Sequence, residues 1–345
     1  QPQSLSVRNL RYSVSLGGGS MRPRSFLAAV GNSILRLMGK APPAAEEEEE
    51  SAEELTLLND VTARFRRGRM TALMGQSGAG KTTLLDVIAG YKTGGSITGD
   101  IMIDGRPKQD SSWKKINGYA EQNDILNPYL SVLETLEFTA ACRLAAHVDR
   151  AAVIQNVLTL MGLEDYTNMI VGREKEGEGL PKHARKRLTI ANQLVVLPQV
   201  LFLDEPTSGL GANAAALVIG AVRRSTDAMG LITLATIHQP SRKMFEAFDD
   251  LILLAKGGRV AYMGELGLKS ETLLRHFSAL SGEKKLPTKA CNPADYVLAS
   301  IDRVSPDVAV SAYQDSDLCK EVAADIAADS KNAEGVGADD AVALE

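Results

Sequence analysis

Apolar and polar positions change rhythm several times along this chain. Residues 4–14 (SLSVRNLRYSV) alternate and predict a half-buried strand. The pattern then gives way to GGGS, a mixed segment and APPAAEEEEESAEEL. Five consecutive Glu after Pro-Pro repel one another and predict a solvated insert over 15–54. Within it, FLAAVGNSILRLMG (26–39) reads as a transient amphipathic helix in a loop. From Leu55 the texture becomes that of a folded α/β domain. MTALMG (70–75), VLFLD (200–204) and LITLATI (231–237) are continuous apolar runs, as expected of strands covered on both faces. Between them, SVLETLEFTAACRL (131–144) and VIQNVLTLMG (153–162) predict helices. LILLAKGGRVAYMG (251–264) predicts a hairpin turning at Lys256-Gly257-Gly258. Beyond Ser305 the Ala- and Asp-rich composition predicts a loose tail.

Composition narrows the function classes. The 345 residues are 44% hydrophobic, enough for a large core. Thirty-eight basic against 43 acidic residues argue against nucleic acid as a partner, and the seven Glu of 46–54 account for much of the net −5. Cys142, Cys291 and Cys319 stand far apart without a CxxC pair, which fits a reducing compartment better than a disulfide framework. No apolar run reaches the length of a membrane span, and the start Gln1-Pro2-Gln3 reads as part of something longer.

The chemistry centres on Gly75-Gln76-Ser77-Gly78-Ala79-Gly80-Lys81-Thr82-Thr83, between a predicted strand and the helical stretch KTTLLDVIAG. In G-x-x-x-x-G-K-[ST], glycines let backbone N–H groups turn inward around phosphates. The Lys81 charge meets the β- and γ-phosphates, and the Thr82 hydroxyl ligates Mg²⁺. The helix N-terminus points at the same anion. VLFLD supplies the second half: Asp204 ends a buried run and would hold Mg²⁺ through water. Glu205 follows, placed to orient or deprotonate an attacking water.

With GYAEQND (118–124), ARKRLTI (184–190), VLFLDEPTSGL and ATIHQPS (235–241) in order, the chain resembles the nucleotide-binding domain of an ATP-binding-cassette transporter. IHQPS, GYAEQND and NPADYVLASI (292–301) resemble subfamily G, and LLNDVTARFRRGRMTALMG looks most like the C-terminal half of pleiotropic-drug-resistance pumps. The resemblance implies an α/β P-loop NTPase of the ABC type: a RecA-like core, an antiparallel β subdomain and an inserted α-helical subdomain at about 125–195. It divides the chain into a first strand (1–14), the acidic insert (15–54), the ATPase domain (55–304) and a linker toward a membrane domain (305–345). It makes Gln122 the lid-loop glutamine that reaches Mg²⁺ and the attacking water, alongside Thr82 and Asp204. His238 becomes the switch histidine at the γ-phosphate, and Tyr12 the aromatic that stacks on adenine. It further implies ATP and Mg²⁺ as ligands, a second nucleotide-binding domain in a head-to-tail dimer, transmembrane domains as partners, and a place on the cytoplasmic face of a membrane.

Two departures from the family pattern matter. The LSGGQ-type signature slot holds Leu180-Pro181-Lys182-His183-Ala184, where Pro181 has neither hydroxyl nor N–H and two bulky side chains follow. Pairing of Lys182 with phosphate is a weaker substitute for oriented N–H donors. Gly211 stands where the family has an Asp after Ser208-Gly209-Leu210. The expectation is an asymmetric pair: this domain's own ATP is hydrolysed, and the partner's is held persistently. It would power export of hydrophobic or lipid-like compounds. A non-hydrolysing nucleotide-gated module and a soluble cassette ATPase stay open as alternatives. The basic run Lys182 to Arg187 reads as a solvated helix face.

Overall fold

The computed structural model describes residues 2–15, 54–92, 94–173, 178–282 and 291–335. The expected helix at 26–39 and the Glu46–Glu50 run lie outside the described residues. Strand β1 (Ser4–Ser15) buries Leu5, Val7, Leu10 and Tyr12. Strict alternation would turn Leu10 outward. A register shift between Val7 and Leu10, with Asn9 at φ 49°, restores the same face. Strand β2 (Glu54–Arg66) pairs antiparallel with β1, so Ser15 and Glu54 stand opposite each other and the insert leaves and re-enters at one end of the ladder.

The apolar runs assemble into the second sheet. Strand β3 (Met70–Gly75) is followed by the phosphate-loop helix α1 (Lys81–Ala89). After β4 (Ser96–Ile103) and the two-residue β5 (Arg106–Pro107) come α2 (Asp110–Ile116) and β6 (Asn117–Ala120). Two helices, α3 (Val132–Arg143) and α4 (Arg150–Met161), precede α5 (Lys182–Leu194). Then follow β7 (Val200–Leu203), α6 (Ala212–Met229), β8 (Ile232–Thr236), α7 (Arg242–Phe245), and the hairpin β9 (Asp250–Ala255) and β10 (Arg259–Glu265). The six-stranded sheet runs β10-β9-β3-β8-β7-β6, parallel except for β10; the four-stranded antiparallel sheet runs β2-β1-β4-β5. One apolar cluster fills the space between the antiparallel sheet, α1 and one face of the parallel strands. The other joins the opposite face to α3, α4, α5 and α6. Helix α3 starts at a capping box: the Ser131 hydroxyl accepts the Glu134 N–H at 3.2 Å, and the Glu134 carboxylate accepts the Ser131 N–H at 2.7 Å.

Two expectations fail here for physical reasons. The tail is not loose through Gly335: after α8 (Glu271–Leu280) and α9 (Pro293–Val304), the chain forms α10 (Pro306–Gln314) and α11 (Asp317–Gly335). Ala309, Val310, Tyr313 and Ile326 are buried, and Arg64 of β2 grips Asp329 with two hydrogen bonds (2.7 and 2.9 Å) and Asp325 with one (2.8 Å). Asp325 and Asp329, which make the segment look solvated, are ion-pair partners of the sheet. The basic run of α5 is not a solvated face either. Arg185, Lys186 and Arg187 are 6%, 3% and 7% exposed, because each reaches main-chain carbonyls of neighbouring loops.

Candidate functional site

The parallel order brings the C-terminal ends of β3, β8 and β7 side by side, and the candidate residues sit on that edge. Gly75 ends β3 against the carbonyl of Leu254; a Cβ there would stand 2.4 Å from that oxygen, so only glycine fits. The loop then turns into α1. Lys81 is curled into it, its Nζ donating to Gly75 O at 2.9 Å and Gln76 O at 3.0 Å. Burial lowers the Lys81 pKa, and the charges of Glu205 and Asp204 oppose that shift. An anion in the loop would offset the burial directly.

Thr82, Asp204, Glu205 and Gln122 meet. The Thr82 hydroxyl donates to Asp204 Oδ1 at 3.2 Å, and Gln122 Nε2 donates to Glu205 Oε2 at 2.9 Å. Asp204 is 8% exposed, and burial raises its pKa against the lowering effect of hydrogen bonds from Thr236 and Thr82. Among the described residues no three His, Cys, Asp or Glu side chains gather to hold a metal by themselves. The Thr82 hydroxyl and the Asp204 carboxylate are hard oxygen donors, the kind Mg²⁺ takes when most of its shell comes from phosphates and water. A cavity of about 330 Å³ lies beside them, lined by Thr82, Asp86, Tyr119, Gln122 and Asp204 among others. Tyr119 closes one side by donating to Asp86 Oδ1 at 2.6 Å. His238 is exposed just past the end of β8 on the same edge.

Tyr12 does not join the group as an open stacking platform. Its ring is 4% exposed, its hydroxyl donates to Gly94 O at 2.9 Å, and Gly95 lies so close that a Cβ would approach the ring at 2.7 Å. The adenine-stacking expectation is corrected: β4 and its preceding turn cover the ring.

In the signature slot Leu180 is buried and Pro181 occupies the N-cap of α5 with no side-chain cap bond. The Ala184 N–H turns back to Pro181 O at 2.9 Å. Lys182 extends over the loop after β7, where a Cβ at Gly209 would stand 2.7 Å from its Nζ. The His183 ring meets Tyr166 edge-on with centroids 6.4 Å apart; burial and then Arg187 lower its pKa. At Gly211 a Cβ would meet nothing within 4 Å, so space does not require a glycine there.

Sequence reasoning missed two supports. Thr236 donates to Asp204 Oδ1 at 2.7 Å and accepts the Glu205 N–H at 2.6 Å; as one more β-branched residue in a buried strand it carries no mark of chemistry. Asp302 of α9 accepts from Gln76 Nε2 in the phosphate loop, a contact between positions 226 residues apart.

The sequence profile described as "ABC transporter" matches residues 58–208, and one described as "ABC-2 type transporter" matches residues 238–318. ABC transporter G family member 35 of Arabidopsis thaliana is 49% identical over 247 residues, covering 71% of this chain and 17% of that protein. Residues 58–208 belong to the ABC transporter family. Pleiotropic drug resistance protein TUR2 of Spirodela polyrhiza is 45% identical over 276 residues, 78% of the cassette chain and 19% of that protein. ABC transporter G family member 44 of Oryza sativa subsp. japonica is 43% identical over 307 residues, 87% and 21% respectively. The ABC chain thus spans about a fifth of the length of these relatives. A solved dimeric bacterial ABC transporter cassette superimposes with a TM-score of 0.54 at 19% identity, covering 76% of this chain and 98% of that one. The two-sheet architecture is therefore the ABC ATPase fold. Among the described residues no helix is long and apolar enough to cross a membrane, although 238–318 matches a transporter profile.

Proposed function

We infer that this cassette binds and hydrolyses MgATP as one of two unequal nucleotide-binding domains, and so drives transport by membrane domains of the same protein. The contact between Gln122 and Glu205 at 2.9 Å supports this reading most, because a neutral donor holds the carboxylate that follows Asp204. Lys81 exchanges its hold on two loop carbonyls for the β- and γ-phosphates, and the α1 N-terminus faces the same charge. Thr82, Asp204 and Gln122 would hold Mg²⁺, which when bound neutralises phosphate charge. Glu205 orients the attacking water and accepts its proton; His238, on the same edge, faces the γ-phosphate.

The unequal pairing rests on Pro181-Lys182-His183. A partner's ATP would face a proline and two bulky side chains instead of oriented N–H groups, so hydrolysis belongs to the nucleotide on Lys81. The cargo class is hydrophobic or lipid-like, and the cassette works at the cytoplasmic face of the membrane. The degenerate signature also favours a second reading, a module that binds ATP without turnover and gates its partner.

Glu205→Gln in the full-length transporter separates the two. Steady-state ATP turnover falls by about 100-fold or more if Glu205 is the base. Turnover close to that of the unmodified protein overturns the hydrolysis reading.

A further inference from the structure

Lys186 is a lysine buried to 3% exposure in the middle of α5, and its Nζ is committed on two sides. It donates to the main-chain carbonyl of Gln122 at 2.7 Å and pairs with Asp124 Oδ1 at 2.8 Å. The Thr189 hydroxyl, one turn further along, donates to the same Asp124 oxygen at 2.7 Å. A buried charge needs a partner and hydrogen bonds to be tolerated, and here both come from Gln122 and Asp124 of the lid loop.

The loop residue gripped by Lys186 through its main chain is the one whose side chain holds Glu205. The contacts therefore run from α5 through Lys186 to the Gln122 backbone, and from the Gln122 amide to Glu205 Oε2. The rest of α5 is fixed to other loops: Arg185 donates to Val171 O at 2.8 Å and Gly172 O at 3.0 Å, and Arg187 to Gly162 O at 2.7 Å. Lys186 and Thr189 are thus the links from this anchored helix to the lid loop.

We propose that Lys186, seconded by Thr189 through Asp124, is a positioning residue for hydrolysis: it latches the lid loop to the signature helix and sets where Gln122 holds Glu205. This rests on the hydrolysis reading above. Because Pro181 opens the same helix, the latch also ties the placement of one domain's Glu205 to the helix that faces the partner's nucleotide. A flexible ammonium suits this role, since two acceptors on one loop are reached by one small head with three rotatable donors.

The test uses the full-length transporter, with kcat and KM for MgATP measured for Lys186→Met, Gln122→Ala, the double variant, Thr189→Val, Lys186→Arg and Glu205→Gln. Lys186→Met lowers kcat by about 10-fold with KM within about 2-fold, and adds less than about 2-fold in the Gln122→Ala background, because both act through one side chain. Lys186→Arg restores part of kcat, as it keeps the charge. Thr189→Val, which leaves the ion pair in place and so keeps the question open if Lys186→Met does not fold, lowers kcat by about 2- to 3-fold without moving KM. Unchanged kcat in folded Lys186→Met or in Thr189→Val, or losses that multiply in the double variant, overturn the latch while an inactive Glu205→Gln leaves the hydrolysis reading standing. An active Glu205→Gln overturns both.

Discussion

The Thr236 hydroxyl donates to Asp204 across neighbouring parallel strands at 2.7 Å, so the end of β8 decides how the acidic end of β7 is held. The same oxygen accepts the Glu205 N–H at 2.6 Å, where Glu205 takes the left-handed φ of 44°. One hydroxyl thus fixes both consecutive acids. Thr236→Val keeps the shape and removes both bonds. It is expected to destabilise the fold by about 1–3 kcal/mol, read from urea unfolding.

The same substitution changes a pH dependence. Burial raises Asp204 above its unfolded pKa, so the unfolded chain loses this proton first as pH rises. The contribution is complete below the unfolded pKa and is lost as pH rises through the folded one. Thr236→Val removes a bond to the charged form and widens that window upward. Binding of MgATP runs the other way, weakening as pH falls into the window. In titrations from neutral toward acid, the affinity of Thr236→Val is expected to drop at higher pH than that of the unmodified protein.

Lys81→Met is expected to leave the fold intact, because the carbonyls of Gly75 and Gln76 that it releases open onto a loop reached by water. Nucleotide affinity falls by about 100-fold, equivalent to about 2.7 kcal/mol, and ATP no longer raises the melting temperature.

Arg64 holds α11 to β2 through Asp325 and Asp329, with side chains 21%, 56% and 17% exposed. Arg64→Ala is expected to cost about 1 kcal/mol, a figure kept small by solvent screening of the Asp325 arm. Hydrogen exchange should rise over residues 317–335 while the phosphate loop keeps its protection.

Gly258 turns the β9–β10 hairpin at φ 67°, and a Cβ there would stand 2.1 Å from Leu57 O; its own carbonyl accepts the Asn59 N–H at 3.0 Å. Gly258→Ala must push β2 away from the hairpin. Leu57 also abuts Gly80 at the end of the phosphate loop, so the variant is expected to lose both stability, by about 2 kcal/mol or more, and nucleotide affinity.

Much of the fold is legible because its signals are local. Continuous apolar runs give β3, β7 and β8, the glycine pair gives the β9–β10 hairpin, and Gly-Lys-Thr marks the loop before α1. What escaped depends on contacts far apart in the chain. Asp325 and Asp329 look solvated until Arg64, more than 260 positions earlier, is placed beside them. Arg185, Lys186 and Arg187 look like a wet helix face until loops at 122, 162 and 171 supply carbonyls. Tyr12 carries its stacking role only through the family resemblance, which does not reveal that the turn at Gly94 and Gly95 covers the ring. Thr236 shares its residue type with ordinary strand positions, so only the register of β7 against β8 exposes its role.

Hydrolysis of the nucleotide held by Lys81 is tested most directly by trapping the full-length transporter with vanadate after turnover of radiolabelled MgATP, cross-linking the nucleotide, and identifying what each domain holds. ADP is expected on the cassette containing Lys81 and Glu205, and unhydrolysed ATP on its partner. Unhydrolysed ATP on Lys81 would contradict that expectation.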